Sequence, residues 1–213
     1  MATLTKKAEV PVKEINLKPA PAPTSVTNST KTAVTFNPPT VVDPELSLLM
    51  RDALRRHAKA VVVITCLHEG QRYAMAATAC VEVSMNPPSL LICVNKSASI
   101  HLPLSSGASK FGVNILSSTQ QTIAAFCSGK VKGEARFEQG NWAADQSGTP
   151  YLSDAQANFF CDLDGSLAYG SHVIFIGRVS SVKVNGPVDP LVYVDGTYTP
   201  SLFAQTEAAT ATN

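Results

Sequence analysis

The fifteen residues Ala74–Pro88, AMAATACVEVSMNPP, and the strand after them, SLLICVNKSASIH, carry the clearest chemical signal in the chain. Ala74, Ala76, Ala77 and Ala79 strip bulk from the backbone, and Thr78 adds one hydroxyl. Every backbone N–H and C=O must find a hydrogen-bond partner, so a wall of this kind suits a flat ring whose polar edge bonds to main chain. No side chain in the run is an obvious acid, base or nucleophile. That points to a protein that holds a redox cofactor rather than one that reacts through its own groups. Small residues also let two sheets approach inside a barrel, and spacing alone leaves both readings open.

Other candidates are fewer. Asn95-Lys96-Ser97-Ala98-Ser99 follows a buried strand and leads toward a helix. Hydroxyls, a lysine and helix N-terminal amides together suit an anion, while a Ser cap beside a solvated Lys is the plainer account. His172, at the mouth of the strand in YGSHVIFIGRV, is placed to orient a ring or donate to a phosphate, or else to bond a loop. His57, His68 and His101 stand alone and read as structural. Asp162 and Asp164 resemble a carboxylate pair, but alternation puts both on the solvent face of a strand ending in Gly165. No GxGxxG opens a helix after a strand, and neither a P-loop nor a nucleophile elbow is present. The isolated histidines and scattered cysteines lack metal-ligand spacing, so no metal site is expected.

The elements that must position these residues read as follows. Residues 1–42 are rich in Pro, Thr, Ala and Lys without apolar periodicity, and form a flexible or surface-wrapping arm. The stretch 43–203 is one folded domain, and 204–213 is a second flexible tail. The domain opens with a helix: Asp43 is the N-cap and Pro44 the first helical residue. Leu46, Leu49, Met50, Ala53, Leu54 and His57 then form one apolar stripe. Next come strands over 60–67, over YAMAATACVEVS and over SLLICVN, the last two buried and joined by the turn MNPP. A short helix is expected near 98–106, a strand over 110–116, and a capped helix over 117–129 ended by Gly129. Strands return in ANFFCDLDGSLAYG, SHVIFIGRVSSVKV and PLVYVDGTYTP. The fold class is mainly β with appended helices (α+β), a β-barrel.

Composition narrows the class. At 213 residues and 45% hydrophobic the chain supports one well-packed core, and its 15% of charged residues leaves much surface uncharged. Residues 45–203 hold 12 basic and 12 acidic side chains, which gives no field for nucleic acid. Five cysteines with no CxxC pair read as reduced thiols of a cytosolic protein. The opening MATLTKKAEVPVKE has no apolar core of a leader, and no apolar run approaches a membrane span of roughly 20 residues. The expectation is a soluble cytoplasmic protein with no membrane partner.

Taken in order, these pieces resemble the flavin reductase-like family of FMN-binding split barrels, the reductase partners of two-component flavin monooxygenases. The family's central pattern reads GMTA(T/N)(A/S)FxSVSxxPP, then hLVCVxxxSxxH. Here it stands as AMAATACVEVSMNPP and SLLICVNKSASIH. FGVNIL (111–116), AAFCSG (124–129), GEARF (133–137), GSHVIFIGRV (170–179) and PLVYVDGTY (190–198) match further along.

The resemblance implies a dimeric FMN-binding split β-barrel with flavin near the subunit interface. It implies that Met75, Ala76, Ala77 and Thr78 line the flavin ring and ribityl chain, with main-chain amides of Ala79 and Cys80 near its reactive edge. Asn95, Lys96, Ser97 and Ser99 receive the phosphate or adenylate arm. Phe126, Ser128, Gly129 and the GEARF loop close over the cofactor, His172 faces the nicotinamide as the catalytic residue, and Tyr198 caps the pocket. Cys80 stands where the family is usually aromatic, Glu82 where it has Ser or Thr, and Ser171 where an acid precedes His172.

The activity implied is an NAD(P)H:flavin oxidoreductase, passing hydride from NADH or NADPH to FMN or FAD and supplying a separate oxygenase. Two alternatives stand beside it. One is an FMN-binding electron carrier or sensor that does not turn over free flavin. The other is a split barrel that reduces a corrin or a metal centre.

Overall fold

The computed structural model describes residues 13–16 and 43–199. The rest of the expected arm over 1–42, and the tail over 204–213, lie outside the described residues. Within the arm, Lys13–Asn16 forms a strand, β1. Helix α1, Pro44–Leu54, starts as expected: the Asp43 carboxylate accepts from the amides of Glu45 at 2.9 Å and Leu46 at 3.2 Å. Most of its apolar stripe lies open, for Leu46, Leu49 and Met50 are 63%, 61% and 62% exposed.

Strands β2 (Lys59–Ala60), β3 (Val62–His68), β4 (Gln71–Ala77), β5 (Cys80–Met85) and β6 (Pro88–Asn95) come next. They are followed by α2 (His101–Ser106), β7 (Lys110–Ile115) and α3 (Gln121–Ala125). The small hairpin β8 (Trp142–Ala144) and β9 (Pro150–Leu152) precedes the long strands β10 (Ala157–Tyr169) and β11 (His172–Val184). A last hairpin, β12 (Val192–Val194) and β13 (Thr197–Thr199), turns on Asp195 and Gly196, both with positive φ. The main sheet runs β4-β3-β7-β10-β11-β6-β5, with β1 added to the far end of β11. The ends of this path, β4 and β5, are consecutive in the chain but unpaired, and the sheet wraps around one core as a split β-barrel with short helices appended.

Strand β3 explains why AVVVITCL reads as unbroken β-branched residues: both of its faces are covered. Val62, Ile64 and Cys66 face the barrel interior with Ile92, Val94, Phe111, Val113 and Phe175. Val61 and Val63 face an outer layer with Leu116, Ile123, Ala124, Cys127, Phe137, Leu152 and Leu191. Gly177 allows the interior to close, since a Cβ there would lie 2.3 Å from Phe111 Cζ. Asn114, fully buried, donates to Val63 O at 2.8 Å and accepts from Leu152 N at 2.9 Å and from Asn158 Nδ2 at 2.8 Å. That network ties the barrel wall to β9 and β10.

Four expectations are corrected. The strand over 60–67 breaks at Val61, whose amide donates instead to Leu191 O at 2.8 Å. YAMAATACVEVS is two strands, β4 and β5, parted at Thr78 and Ala79, and β5 is not buried: Val81, Glu82, Val83 and Met85 are exposed. Strand β10 does not stop at Gly165. It shifts register between Leu163 and Gly165 and continues to Tyr169, while Asp162 is held by Lys110 and, at 3.6 Å, by Arg178. The helix near 98–106 begins only at His101, so the amides of residues 95–99 belong to a turn and not to a helix N-terminus.

All five cysteines are free thiols. Burial pushes Cys66 and Cys127 up to about 12 and raises Cys161 further in the same direction. Among the described residues no helix is long and apolar enough to cross a membrane.

Candidate functional site

The site begins with the hydrogen-bond parity of β4. Leu116 N–H donates to Val61 O at 3.0 Å, which turns the main chain of odd-numbered β3 residues toward β7 and of even-numbered ones toward β4. Through the register Val62 to Ala77 and Ile64 to Met75, the odd-numbered residues of β4 are therefore paired. Arg72, Ala74 and Ala76 turn their N–H and C=O groups to the open edge of the sheet. The side chains divide the other way. Met75 and Ala77 pack on the barrel interior, while Ala76 packs on the outer layer with Trp142 and Tyr198. Met75, Ala76, Ala77 and Thr78 do not present one face of side chains; what they share with a flat ligand is the main-chain edge and the gap at Thr78 and Ala79.

The GEARF segment grips this edge. Over Gly133–Phe137 the chain makes a single tight 3₁₀ turn. Glu134 pairs with Arg72, and the Arg72 guanidinium lies 4.2 Å from the Phe137 ring centroid. Phe137 is itself edge-on to Trp142 at 4.8 Å. Arg136, only 5% exposed, donates from Nε to Val131 O at 2.8 Å and from Nη1 to Ala74 O and, at 3.2 Å, to Ser99 Oγ. Among the described residues it makes no ion pair, because the carboxylate of its own turn is engaged by Arg72. Taking one ion out of water costs several kcal/mol even after relaxation, so a buried cation without a carboxylate marks a place where an anion is useful.

The turn Asn95–Ser99, whose hydroxyls and lysine suit an anion, lies beside it. Asn95 Oδ1 accepts from Ser97 N at 2.9 Å and from Ser97 Oγ at 2.8 Å, forming an Asx turn. Asn95, Lys96, Ser97 and Ser99 are all exposed. Lys96 Nζ donates to Gly170 O at 2.7 Å and Lys96 N to Ser171 O at 3.0 Å. His172 sits opposite Asn95 in the β11–β6 register, exposed, with Nδ1 2.9 Å from Ser171 Oγ. The structure thus brings Ala74, Asn95–Ser99, Arg136 and His172 onto one rim.

The other predicted residues surround this rim less tightly. Phe126, Ser128 and Gly129 belong to the wide turn Phe126–Lys130, which packs against β4. Gly129 has φ +106° with nothing within 4 Å of a would-be Cβ, so backbone conformation and not space requires glycine. Ser128 Oγ donates to Ala125 O at 2.7 Å. Tyr198 packs edge-on to Tyr193 at 5.3 Å, and its burial, with Tyr193 adding, holds its hydroxyl above the usual phenol range. Ala79 O accepts from Cys93 N at 3.0 Å, so that carbonyl is already engaged.

At the gap itself opens a groove of ≈ 900 Å³, lined by Thr78 and Ala79 together with Ala60, Val81, Met85, Leu90, Ile115, Phe159 and their neighbours. Cys80 and Glu82 line it as well. Burial, then the Glu82 carboxylate and then Cys93 push the Cys80 thiol up to about 11.

Neither Arg136 nor the groove stands out in the sequence. A lone arginine between Ala135 and Phe137 carries no periodic signal, and the groove is built from residues far apart in the chain.

Comparison with known proteins gives the chain its family. The chain is 37% identical over 150 residues to the reductase component of the FADH(2)-dependent resorcinol hydroxylase of Rhizobium sp. (strain MTP-10005), covering 70% of this chain and 83% of that one. It is 35% identical over 148 residues to an FMN reductase (NADH) RutF 1 of Methylorubrum extorquens, covering 70% and 73%. Among solved structures it is similar to BorF, the flavin reductase component of a bacterial two-component tryptophan halogenase. That match has TM-score 0.67 and 30% identity over 72% of this chain and 97% of that one. It is also similar to the Streptomyces globisporus C-1027 NADH:FAD oxidoreductase SgcE6 bound to NAD and FAD fragments, with TM-score 0.67 and 25% identity over 76% and 96%. Residues 54–201 match the flavin reductase like domain, and the chain belongs to that family.

Proposed function

We propose that the chain is an NAD(P)H:flavin oxidoreductase that takes FMN or FAD as its flavin and NADH or NADPH as its donor. The observation that carries this is the single rim formed by the open main-chain edge of β4, the turn Asn95–Ser99, buried Arg136 and His172. The donor set fits a flavin nucleotide. The edge offers both N–H and C=O to a ring that carries both acceptors and a donor, and the turn offers hydroxyls and a cation to a phosphate. Bound flavin supplies the hydride acceptor for a nicotinamide stacked on it.

The chain's own residues bind, align and shield. Ala76 offers its main chain to the ring edge, with Ala74 buried behind it and its C=O held by Arg136. Met75 and Ala77 anchor that strand on the barrel interior, and Thr78, Ala79 and Cys80 border the gap. Asn95, Lys96, Ser97 and Ser99 take the phosphate. Phe126, Ser128 and Gly129 form the turn that covers β4, and Tyr198 closes the outer side. His172 has its Nε2 without a partner among the described residues, and faces the donor. Alignment of two bound rings accounts for the activity without a strong base in the site.

Two partners follow from the same reading. The exposed stripe of α1 and the apolar groove are complementary and lie on one chain, which is what a two-fold homodimer requires. The chain supplies reduced flavin to a separate oxygenase; one relative is named as the reductase component of a hydroxylase and another as that of a two-component halogenase. Reduced thiols fit a cytoplasmic location. Mixing the purified chain with each of the four pairings of NADH or NADPH with FMN or FAD tests the activity. Flavin-dependent oxidation with at least one pairing is expected, and none with any pairing refutes it.

A further inference from the structure

Arg136 has three features that packing alone does not require. It is an arginine at 5% exposure with no carboxylate partner among the described residues. Its Nη1 serves Ala74 O on the ring wall and Ser99 Oγ on the anion turn together. Its Nη2 has no protein partner, yet is not sealed from solvent: among the described residues the only fully buried side-chain polar atom without a partner is Asn158 Oδ1. Nη2 therefore keeps some accessible surface and offers N–H donors on a cation.

Ser99 matters for the same reason. A hydroxyl that accepts from a guanidinium uses a lone pair there and directs its own O–H elsewhere. Ser99 is exposed, so its proton points to a ligand or to water. A charged donor also makes that O–H a better donor in turn, because hydrogen bonds in a chain polarise one another. One guanidinium therefore sets a fixed fork: Nη2 directly, and Ser99 Oγ through Nη1, both next to the β4 edge.

We propose that Arg136 is the residue that makes this site specific for the phosphorylated form of its flavin, orienting the Ser99 hydroxyl and lending its charge to the phosphate. The inference rests on reading the rim as the flavin site. Arg136 acts through Ser99 and through the field at the rim, and is a positioning residue. Planar, bidentate recognition is what arginine does and lysine does less well.

The test compares binding of FMN with binding of riboflavin, the same ring without the phosphate, by quenching of flavin fluorescence. Wild type, R136Q, R136K, S99A and the double variant R136Q/S99A are measured, with far-UV circular dichroism as a check on folding. Wild type is expected to prefer FMN. In R136Q that preference falls by about tenfold or more, the scale of one lost charge-assisted hydrogen bond. S99A lowers it severalfold, R136K retains part of it, and the double variant loses less than the product of the two single losses. A purely structural role lowers both affinities together and leaves the ratio unchanged; an unchanged ratio in R136Q and S99A overturns the proposal. If R136Q fails to fold, an unchanged ratio in R136K and S99A does the same. Wild type that binds neither flavin refutes the reading of the rim itself, whereas wild type that binds FMN with a ratio unmoved by every variant refutes only the role of Arg136.

Discussion

His172 stands directly opposite Asn95 across the β11–β6 ladder, and the main chains of their neighbours are joined by Lys96 N to Ser171 O at 3.0 Å. Far apart in sequence, the histidine and the first residue of the anion turn are fixed in register by a strand pair. The two ends of the rim are therefore tied together through one ladder. Lys96 Nζ on Gly170 O at 2.7 Å reinforces the coupling.

If His172 serves the donor, H172A raises the apparent constant for the nicotinamide and leaves that for flavin close to unchanged. Loss of one hydrogen bond of about 0.5–1.5 kcal/mol corresponds to roughly a two- to twelvefold increase. Steady-state titration of each substrate at saturating levels of the other measures the split. Equal increases in both constants would show that His172 only holds the hairpin turn.

The α1 stripe predicts a second result. A fully buried Leu contributes about 1.5–3 kcal/mol, and a two-fold interface uses each residue twice. L49E is expected to weaken self-association by at least about a hundredfold and give a monomer at micromolar concentration in sedimentation velocity. M85E, on an exposed residue lining the groove (83% exposed), acts from the other side and gives the same result. A variant that sediments as the wild type does would mean that α1 and the groove do not meet between copies.

Much of this architecture is legible in the residues. Asp43 and Pro44 announce the start of α1, whereas PLVYVDGTYTP, expected as a strand, is a hairpin whose turn falls on Asp195 and Gly196. The unbroken β-branched run near 60–67 marks a strand covered on both faces. The gap at Thr78 and Ala79 is not legible, because Thr78 within it and Cys80 after it suit a strand as well as a break. What parts β4 from β5 is the tertiary need of two edges to pair with different partners, β3 and β6. The burial expected for β5 fails for a related reason. Val81 and Val83 look like core, but nothing in the described chain covers them. The candidate site is legible as a main-chain wall and an anion turn. Arg136 is not, since what sets it apart is the absence of an acidic partner, a property of the fold and not of its neighbours in sequence.

Asn114 supports the third prediction. N114A removes one partner from each of Leu152 N, Asn158 Nδ2 and Val63 O. Asn158 Nδ2 keeps Leu152 O at 2.9 Å and Val63 O keeps its place in the β3–β7 ladder, so Leu152 N is the buried group left unsatisfied. With about 1–3 kcal/mol for such a group, and about 2–4 °C per kcal/mol for a domain of this size, Tm drops by roughly 2–12 °C. A shift under about 2 °C by calorimetry would mean that the network relaxes or admits water.

The thiols predict the alkaline limb of stability. Cys66 and Cys127 keep their protons to about pH 12 in the folded chain, against an ordinary value of 9.0. Between these values the native state binds more protons than the unfolded one, so stability declines as pH rises from about 9 toward 12. Tm measured at pH 8, 9, 10 and 11 is expected to hold to pH 9 and then fall. The C66A variant, with one such thiol removed, falls less steeply, and an equal slope in both would assign the decline to other groups.

The central claim is that the rim presents a flavin to a nicotinamide and then lets it go. The most direct measurement is the rate of NADH or NADPH oxidation as free flavin is raised over chain stripped of any bound flavin. The account predicts no oxidation without added flavin, a rate that saturates as flavin rises, and a colourless protein after desalting. A yellow protein that retains its flavin and oxidises neither nucleotide, however much free flavin is added, would contradict it.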